Sequence, residues 1–217
     1  MTVYRLRQAT ATDAEAICRI YNQGIEDRVA TLETELRTPD ERRQWLASRD
    51  ARHPVIVAES AGSVVAGAVS PPLTEGGLRQ MRPGSVSADN PPGAADNASG
   101  AADNASGAAD NASGPVGWAS LNVFNAREAY RFVADISVYV ERGWRGKGVG
   151  RALLERLTEL GRQHGFHKLV LSAFPGNAGG MALYVKSGFR AVGTYHEQGQ
   201  LDGEWVDTII MEKLLSA

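Results

Sequence analysis

The sequence predicts one α/β domain, built from both strands and helices. Two periodic patterns support this. Apolar residues alternate over residues 133–140 (VADISVYV), as in a strand. One helical face follows at Leu153, Leu154, Leu157 and Leu160. The remaining segments give the order βααβββαβαββ, and 217 residues suffice for one sizeable core.

The first third of the chain predicts a strand, two helices and two more strands. Residues 2–7 alternate as a strand, and the next helix is predicted to begin at Thr12, with Glu15 completing a capping box. A second helix opens at Thr38, with a proline in its first turn. Two strands follow, at residues 54–59 and 63–67.

The last third predicts the remaining elements. The helix after the central strand should end near Gly165, a residue type that favours helix C-termini. A buried strand is expected at residues 168–172 and a short helix at 177–187. Residues 190–195 and 204–212 are predicted to form a closing antiparallel pair.

Residues 71–114 break these patterns and are predicted to be a flexible insertion. They contain three tandem copies of GAADNAS, none of which can bury an apolar face. Residues 64–67 and 116–121 would form one strand if the insertion were removed. We therefore expect a single domain built from residues 1–70 and 115–217.

Composition indicates an ordinary globular protein. The chain is 43% hydrophobic and 22% charged, with a formal net charge of −2, which gives no general attraction to nucleic acid or membranes. The single Cys18 excludes an internal disulfide. The four histidines lack metal-ligand spacing, so we expect no metal. The N-terminus does not resemble a signal peptide, and we expect a cytoplasmic protein.

A glycine-rich loop, residues 145–150 (RGKGVG), lies where the central strand gives way to a helix. The free N–H groups and partial positive charge of a helix N-terminus attract anions, and glycine allows close approach. The loop lacks the GxxxxGK[ST] spacing of a Walker loop. A dinucleotide loop would need an acidic residue after the next strand, where Ser172 and Ala173 stand.

The loop instead matches the pattern [QR]-x-x-G-x-[GA] and, together with the preceding SVYV, resembles the diphosphate loop of the GNAT acetyltransferase superfamily. The resemblance implies the GNAT fold, with a mostly antiparallel mixed sheet splayed at its central strands, and acetyl-CoA as co-substrate. It also implies which residues bind the coenzyme. They are the backbones of Val138 and Val140, the side chain of Asn177, and the loop residues Arg145, Gly146, Lys147, Gly148, Gly150 and Arg151.

A narrower resemblance, to the phosphinothricin and arsinothricin N-acetyltransferases, rests on residues 21–22, 25–26, 30–33, 126–130, 134–140 and 203–207. Enzymes of this branch acetylate the α-amino group of glutamate-like compounds that carry a phosphinate, sulfoximine or arsinate group. The resemblance implies resistance to such an antibiotic or herbicide. It is also the only ground for expecting a homodimer.

Acetyl transfer to an amine requires a base, because a free α-amino group is largely protonated at neutral pH. Asp135, on the central strand, is the predicted base, and Glu26 is the alternative. The resembled family generally has Glu at the position of Asp135, so the shorter side chain favours a water relay. Tyr184 matches the tyrosine that many GNAT enzymes use as a general acid, although this branch often has His there.

Arg127 is the predicted ligand for the anionic end of the substrate, because a guanidinium group suits carboxylate or phosphinate. Arg131 is a weaker candidate, and Glu26 is a further substrate-binding candidate. Two other functions stay open. One is acetylation of a protein N-terminus or a polyamine, and the other is a non-catalytic acetyl-CoA-binding module.

Overall fold

The computed structural model describes residues 4–60 and 114–215. Apart from Gly114, the predicted insertion lies outside these ranges, as does the strand expected at residues 63–67. Among the helices within these ranges, none is both long and apolar enough to cross a membrane.

The elements follow the predicted order. They are β1 Tyr4–Gln8, α1 Ala14–Glu26, α2 Pro39–Ala47, β2 Val55–Ser60, β3 Pro115–Val123, β4 Val133–Val140, α3 Val149–Gln163, β5 Lys168–Ala173, α4 Ala178–Lys186, β6 Arg190–Leu201 and β7 Glu204–Leu214. Short 3₁₀ turns also form at Ala11–Asp13, Glu128–Tyr130 and Arg142–Trp144. The helix cap expected at Thr38 is present, with its box completed by Glu41.

The cap predicted for α1 is wrong. The 3₁₀ turn precedes the helix, so the capping box forms two residues earlier, between Thr10 and Asp13 rather than between Thr12 and Glu15. The Asp13 carboxylate accepts the Thr10 backbone N–H at 2.7 Å and also binds the Arg7 guanidinium. Both pairs of residues satisfy the same spacing rule, and the contact with Arg7 on β1 selects the earlier one.

The sheet has seven strands in the order β1-β2-β3-β4-β5-β7-β6. Neighbouring strands run antiparallel except β4 and β5, which are parallel. Their pairing covers only Val133–Asp135 against Lys168–Val170, and beyond Asp135 the two strands separate. The mixed, mostly antiparallel sheet with diverging central strands is therefore confirmed.

Each face of the sheet has its own hydrophobic core. Ile136, Val138 and Val140 pack beneath α3 and α4, in a cluster that includes Leu153 and Tyr184. On the opposite face, α1 and α2 cover a second cluster, in which Tyr139 stacks on Trp118 with ring centroids 4.7 Å apart. The alternation along β4 thus directs consecutive side chains to different cores.

The closing hairpin is longer than predicted. Asp202 and Gly203 both have positive φ, as a two-residue turn of mirror-image type requires. However, β6 continues well past Tyr195, where the prediction ended. Pairing resumes at Gly199 after an irregularity at Glu197, whose φ is 51° and whose backbone N–H donates to Asp207 at 2.8 Å. This bulge interrupts the alternation from which the strand was predicted.

Candidate active site

The glycine loop reaches α3 through two residues with left-handed backbone. Gly146 has φ 72° and Gly148, the N-cap of α3, has φ 92°. A Cβ placed on either residue would meet nothing within 4 Å. Gly148 has no side chain that could cap the helix, so the first N–H groups of α3 are available to an external acceptor. An anion can approach them there without meeting side chains.

The cations of the loop take different positions. Lys147 and Arg151 are exposed, with Arg151 Nε donating to Glu155 at 2.8 Å and Lys147 Nζ 5.1 Å from the Trp144 ring centroid. By contrast, the Arg145 side chain is only 12% exposed and turns inward, where it forms a 2.7 Å ion pair with Asp27. Arg145 therefore turns away from the surface, on which Lys147 and Arg151 both lie.

The open edge of β4 leads directly to this loop. The Glu141 N–H donates to the Val116 carbonyl on β3 at 3.0 Å. Since backbone groups alternate sides along an antiparallel strand, those of Val138 and Val140 point the other way, into the gap beside β5. The Val140 carbonyl accepts a bond from Arg145 Nε at 3.2 Å. A ligand with an extended amide chain can pair with this edge as an added strand does.

Asn177 contributes an unpaired donor close to the end of β5. It caps α4, its Oδ1 accepting the Gly180 N–H at 2.9 Å, and it is 1% exposed. Its Nδ2 finds no partner among the described residues. Buried polar groups are almost always satisfied, so this amide indicates an acceptor supplied by a ligand or water.

A cavity of about 330 Å³ lies on the α1 side of the sheet and is lined by Asp135. Its walls come from the segment after α1 and from β5, β6 and β7. Polar lining residues include Thr31, Lys168, Ser172, Thr208 and Glu212. Asp135 accepts a long hydrogen bond, 3.4 Å, from the Asn122 amide. This carboxylate stands at the last paired position before β4 and β5 diverge.

Tyr184 lies on the other side of the sheet. It is fully buried in the core under α3 and α4 and meets the Phe189 ring edge to face, with centroids 5.8 Å apart. Because Asp135 and Tyr184 occupy opposite faces, one ligand can contact both side chains only through the gap between β4 and β5.

Comparison with known families identifies this arrangement. The profile described as Acetyltransferase (GNAT) family matches residues 90–189, which include β4, the glycine loop, α3, β5 and α4. This part of the chain is a GNAT acetyltransferase domain. The resemblance drawn from the glycine loop is thereby confirmed, and the protein is an N-acetyltransferase.

Individual relatives extend the likeness over the whole GNAT domain. YwnH of Bacillus subtilis, which carries the provisional name phosphinothricin acetyltransferase, is 27% identical over 97% of this chain and 99% of its own. An L-methionine sulfoximine/L-methionine sulfone acetyltransferase of Pseudomonas paraeruginosa is 36% identical, over 45% of this chain and 56% of its own. The structure of a phosphinothricin acetyltransferase from Sinorhizobium meliloti in complex with acetyl-CoA shares the fold, with a TM-score of 0.71, 24% identity and coverage of 99% and 89% of the two chains.

Two residues predicted to bind substrate in this GNAT enzyme lie outside the cavity. Glu26, at the end of α1, forms a 2.7 Å ion pair with Arg142. Arg127 is exposed and precedes a 3₁₀ turn, its backbone N–H bonded to Asn125 at 3.0 Å. Neither is among the described residues that line the cavity, so the structure does not bring them to Asp135.

Two other residues in the cavity wall were missed. Lys168 Nζ donates to Glu212 at 3.0 Å, and this bond lowers the pKa of the Glu212 carboxyl. Thr208 is 4% exposed, and its hydroxyl has no hydrogen-bond partner in the described part of the chain. Lys168 in β5 and Thr208 in β7 alternate with apolar residues, which indicates that polar side chains share one face of each strand. The sequence does not reveal that this face borders a cavity.

Proposed function

We propose that this enzyme transfers the acetyl group of acetyl-CoA to the α-amino group of a small glutamate-like amino acid, of the phosphinothricin, methionine sulfoximine or arsinothricin type. Acetylation would confer resistance to such a compound. One observation carries the proposal. The edge of β4 that lies beyond its pairing with β5 runs from the glycine loop to Asp135, where the cavity begins. The names of the relatives support the substrate class.

The residues fit the coenzyme. The left-handed glycines are open to an anion, and the buried Asn177 amide lacks an acceptor. In the proposal, the backbones of Val138 and Val140 and the Asn177 side chain hold the pantetheine arm. The diphosphate is bound by the backbone of Gly146, Gly148 and Gly150 together with Lys147 and Arg151. When bound, the coenzyme supplies an acetyl thioester.

Asp135 is the proposed base. The substrate's α-amino group has a pKa of about 8 and must lose a proton before it can attack. The half-buried Asp135 lines the cavity, so it can accept that proton through a water molecule. The Asn122 amide, itself 1% exposed, helps to orient the carboxylate.

Tyr184 is the proposed acid. Its burial on the α3 side of the gap supports a role in protonating the departing sulfur from the face opposite to the base. If so, Tyr184→Phe should flatten the alkaline limb of the kcat profile while leaving the Kd for coenzyme A unchanged. An unaltered kcat across the pH range would contradict the role.

Lys168 replaces Arg127 as our candidate for the anionic end of the substrate. It is the one cation among the described residues that line the cavity, whereas Arg127 lies outside it. A cavity of about 330 Å³ is at the small end of ligand sites, which supports a substrate of amino-acid size.

A thiol-release assay tests the function. Purified protein is offered phosphinothricin, L-methionine sulfoximine and arsinothricin, alongside a peptide with a free N-terminus and spermidine. Turnover confined to the amino-acid analogues is expected, and turnover confined to the peptide or spermidine would contradict the substrate class. Asp135→Asn should lower kcat by about 100-fold or more, with an unchanged Kd for coenzyme A by calorimetry. Asp40→Asn, an exposed carboxylate on α2, is the control.

A further inference from the structure

One face of α1 contacts the segment that leads into the glycine loop. The contacting residues are Arg19, Gln23, Glu26 and Asp27, whose spacing of three to four residues places them along one side of the helix. We call them the α1 stripe. Arg19 pairs with Glu141, the first residue after β4. The stripe thus begins its contacts where the central strand ends.

Arg142 is held by the rest of the stripe. Its backbone N–H donates to Gln23 Oε1 at 2.9 Å. Its guanidinium donates to Glu26 at 2.7 Å and to Asp27 Oδ1 at 2.6 Å. Backbone and side chain are therefore both fixed to α1.

Asp27 also holds Arg145, the first residue of the loop. Its second oxygen lies 2.7 Å from Arg145 Nη1, and Arg145 Nε binds the Val140 carbonyl. The Nη2 of Arg145 is buried and has no hydrogen-bond partner among the described residues, so the Asp27 carboxylate is the counter-ion that this guanidinium has in the fold. Burial alone would raise the pKa of Asp27, but its bonds to Arg142 and Arg145 outweigh that effect and lower it.

Further along, the glycine loop has a second anchor in Tyr4 on β1, whose hydroxyl donates to the Lys147 carbonyl at 2.6 Å. Gly146 and Gly148 themselves would meet nothing within 4 Å even with a Cβ added, so the loop depends on anchors at neighbouring residues. A flexible loop loses conformational entropy when it binds a ligand, and anchoring it beforehand reduces that loss. The nearest anchor on the N-terminal side of the loop is the contact between Asp27 and Arg145.

We infer that Asp27 is a positioning residue for the coenzyme. By holding Arg142 and Arg145, it keeps the glycine loop in the conformation that binds the diphosphate, without touching the ligand. The inference rests on the proposed coenzyme site and adds the C-cap residue of α1 to it.

The test compares isosteric substitutions of the two residues that cap α1, Asp27 and Asp13. Asp27→Asn removes the charge that holds the loop. Asp13→Asn removes a similarly paired carboxylate, bound by Arg7 through two bonds of 2.7 Å, at the opposite end of α1. The two sites are about 20 Å apart along the helix. Coenzyme A titrations by calorimetry give Kd, and thermal unfolding gives Tm.

Both variants should have a lower Tm, but only Asp27→Asn should raise the Kd for coenzyme A, by tenfold or more. Its KM for acetyl-CoA should rise with kcat at saturation retained. An unchanged Kd in Asp27→Asn, or an equal rise in Asp13→Asn, overturns the inference. If wild-type protein fails to bind coenzyme A, the proposed function fails instead.

A second variant guards against a folding defect in Asp27→Asn. Arg142→Gln alters a side chain that is 46% exposed, so the core is untouched. It should raise the Kd by a smaller factor, because the contact between Asp27 and Arg145 remains. A double-mutant cycle of Asp27→Asn with Arg145→Gln should be non-additive in Kd. Full additivity would show that the two residues act separately and would overturn the inference.

Discussion

Replacing Gly148 with alanine tests the coenzyme site most directly. Gly148 has φ 92°, a conformation that costs a residue with a Cβ about 1–2 kcal/mol. The added methyl group meets nothing within 4 Å, so no steric clash adds to that cost in the free protein. For a domain of this size, such a loss lowers Tm by roughly 2–8 °C.

The effect on binding should be larger than the effect on folding. In the proposed complex, the Cβ occupies the side from which the diphosphate approaches the free N–H groups of α3. We expect Gly148→Ala to raise the Kd for coenzyme A by at least tenfold, which corresponds to about 1.4 kcal/mol. Calorimetric titration measures Kd, and thermal unfolding measures the cost in stability.

Gly165→Ala is the matched control. Gly165 follows the other end of α3, has φ 72°, and also has nothing within 4 Å of an added Cβ. It should show the same loss of Tm with no change in Kd. If Gly148→Ala bound coenzyme A as tightly as Gly165→Ala, the diphosphate would not lie at this helix terminus, and our reasoning about the loop would be refuted.

Three further predictions concern other parts of the molecule. Gly117→Ala should lower the free energy of unfolding by about 1–3 kcal/mol in urea titrations, because the new Cβ would lie 2.8 Å from Val149 Cγ1 and 3.0 Å from a backbone oxygen. Thr208→Val should raise the KM for the amine substrate about fivefold. It should not lower Tm, because the Thr208 hydroxyl has no hydrogen-bond partner among the described residues. An unchanged KM would exclude contact between this hydroxyl and the substrate. Burial would raise the pKa of Asp13, but its hydrogen bonds, including that from Arg7, outweigh burial and lower this pKa. The ion pair therefore stabilises the fold at pH values above the Asp13 pKa of the unfolded chain, and this stabilisation is lost as the pH falls through the lower pKa of the folded protein. Between about pH 5 and pH 2, the free energy of unfolding measured by urea titration should therefore fall less in Asp13→Asn than in wild type. Parallel curves of this free energy against pH for the two proteins would contradict the prediction.

The order of elements was predictable because each depends on local patterns. The alternation in β4, the leucines of α3 and the cap at Thr38 specify their elements through residues close together in the chain. The predictions failed where a distant residue decided the outcome. Arg7 on β1 binds Asp13 and selects the earlier cap, and Asp207 on β7 stabilises the bulge in β6.

For the site, the sequence alone was enough to predict the chemistry of the loop, because the prediction of an anion site at a helix N-terminus needs only a strand, glycines and a helix in succession. Only the tertiary structure decided what surrounds it. The sequence placed Glu26 and Arg127 with the substrate and Arg145 with the diphosphate, whereas the fold pairs Glu26 with Arg142 and Arg145 with Asp27. Ion-pair partners and cavity walls come from segments far apart in the chain, and which of them meet depends on the packing of the whole sheet.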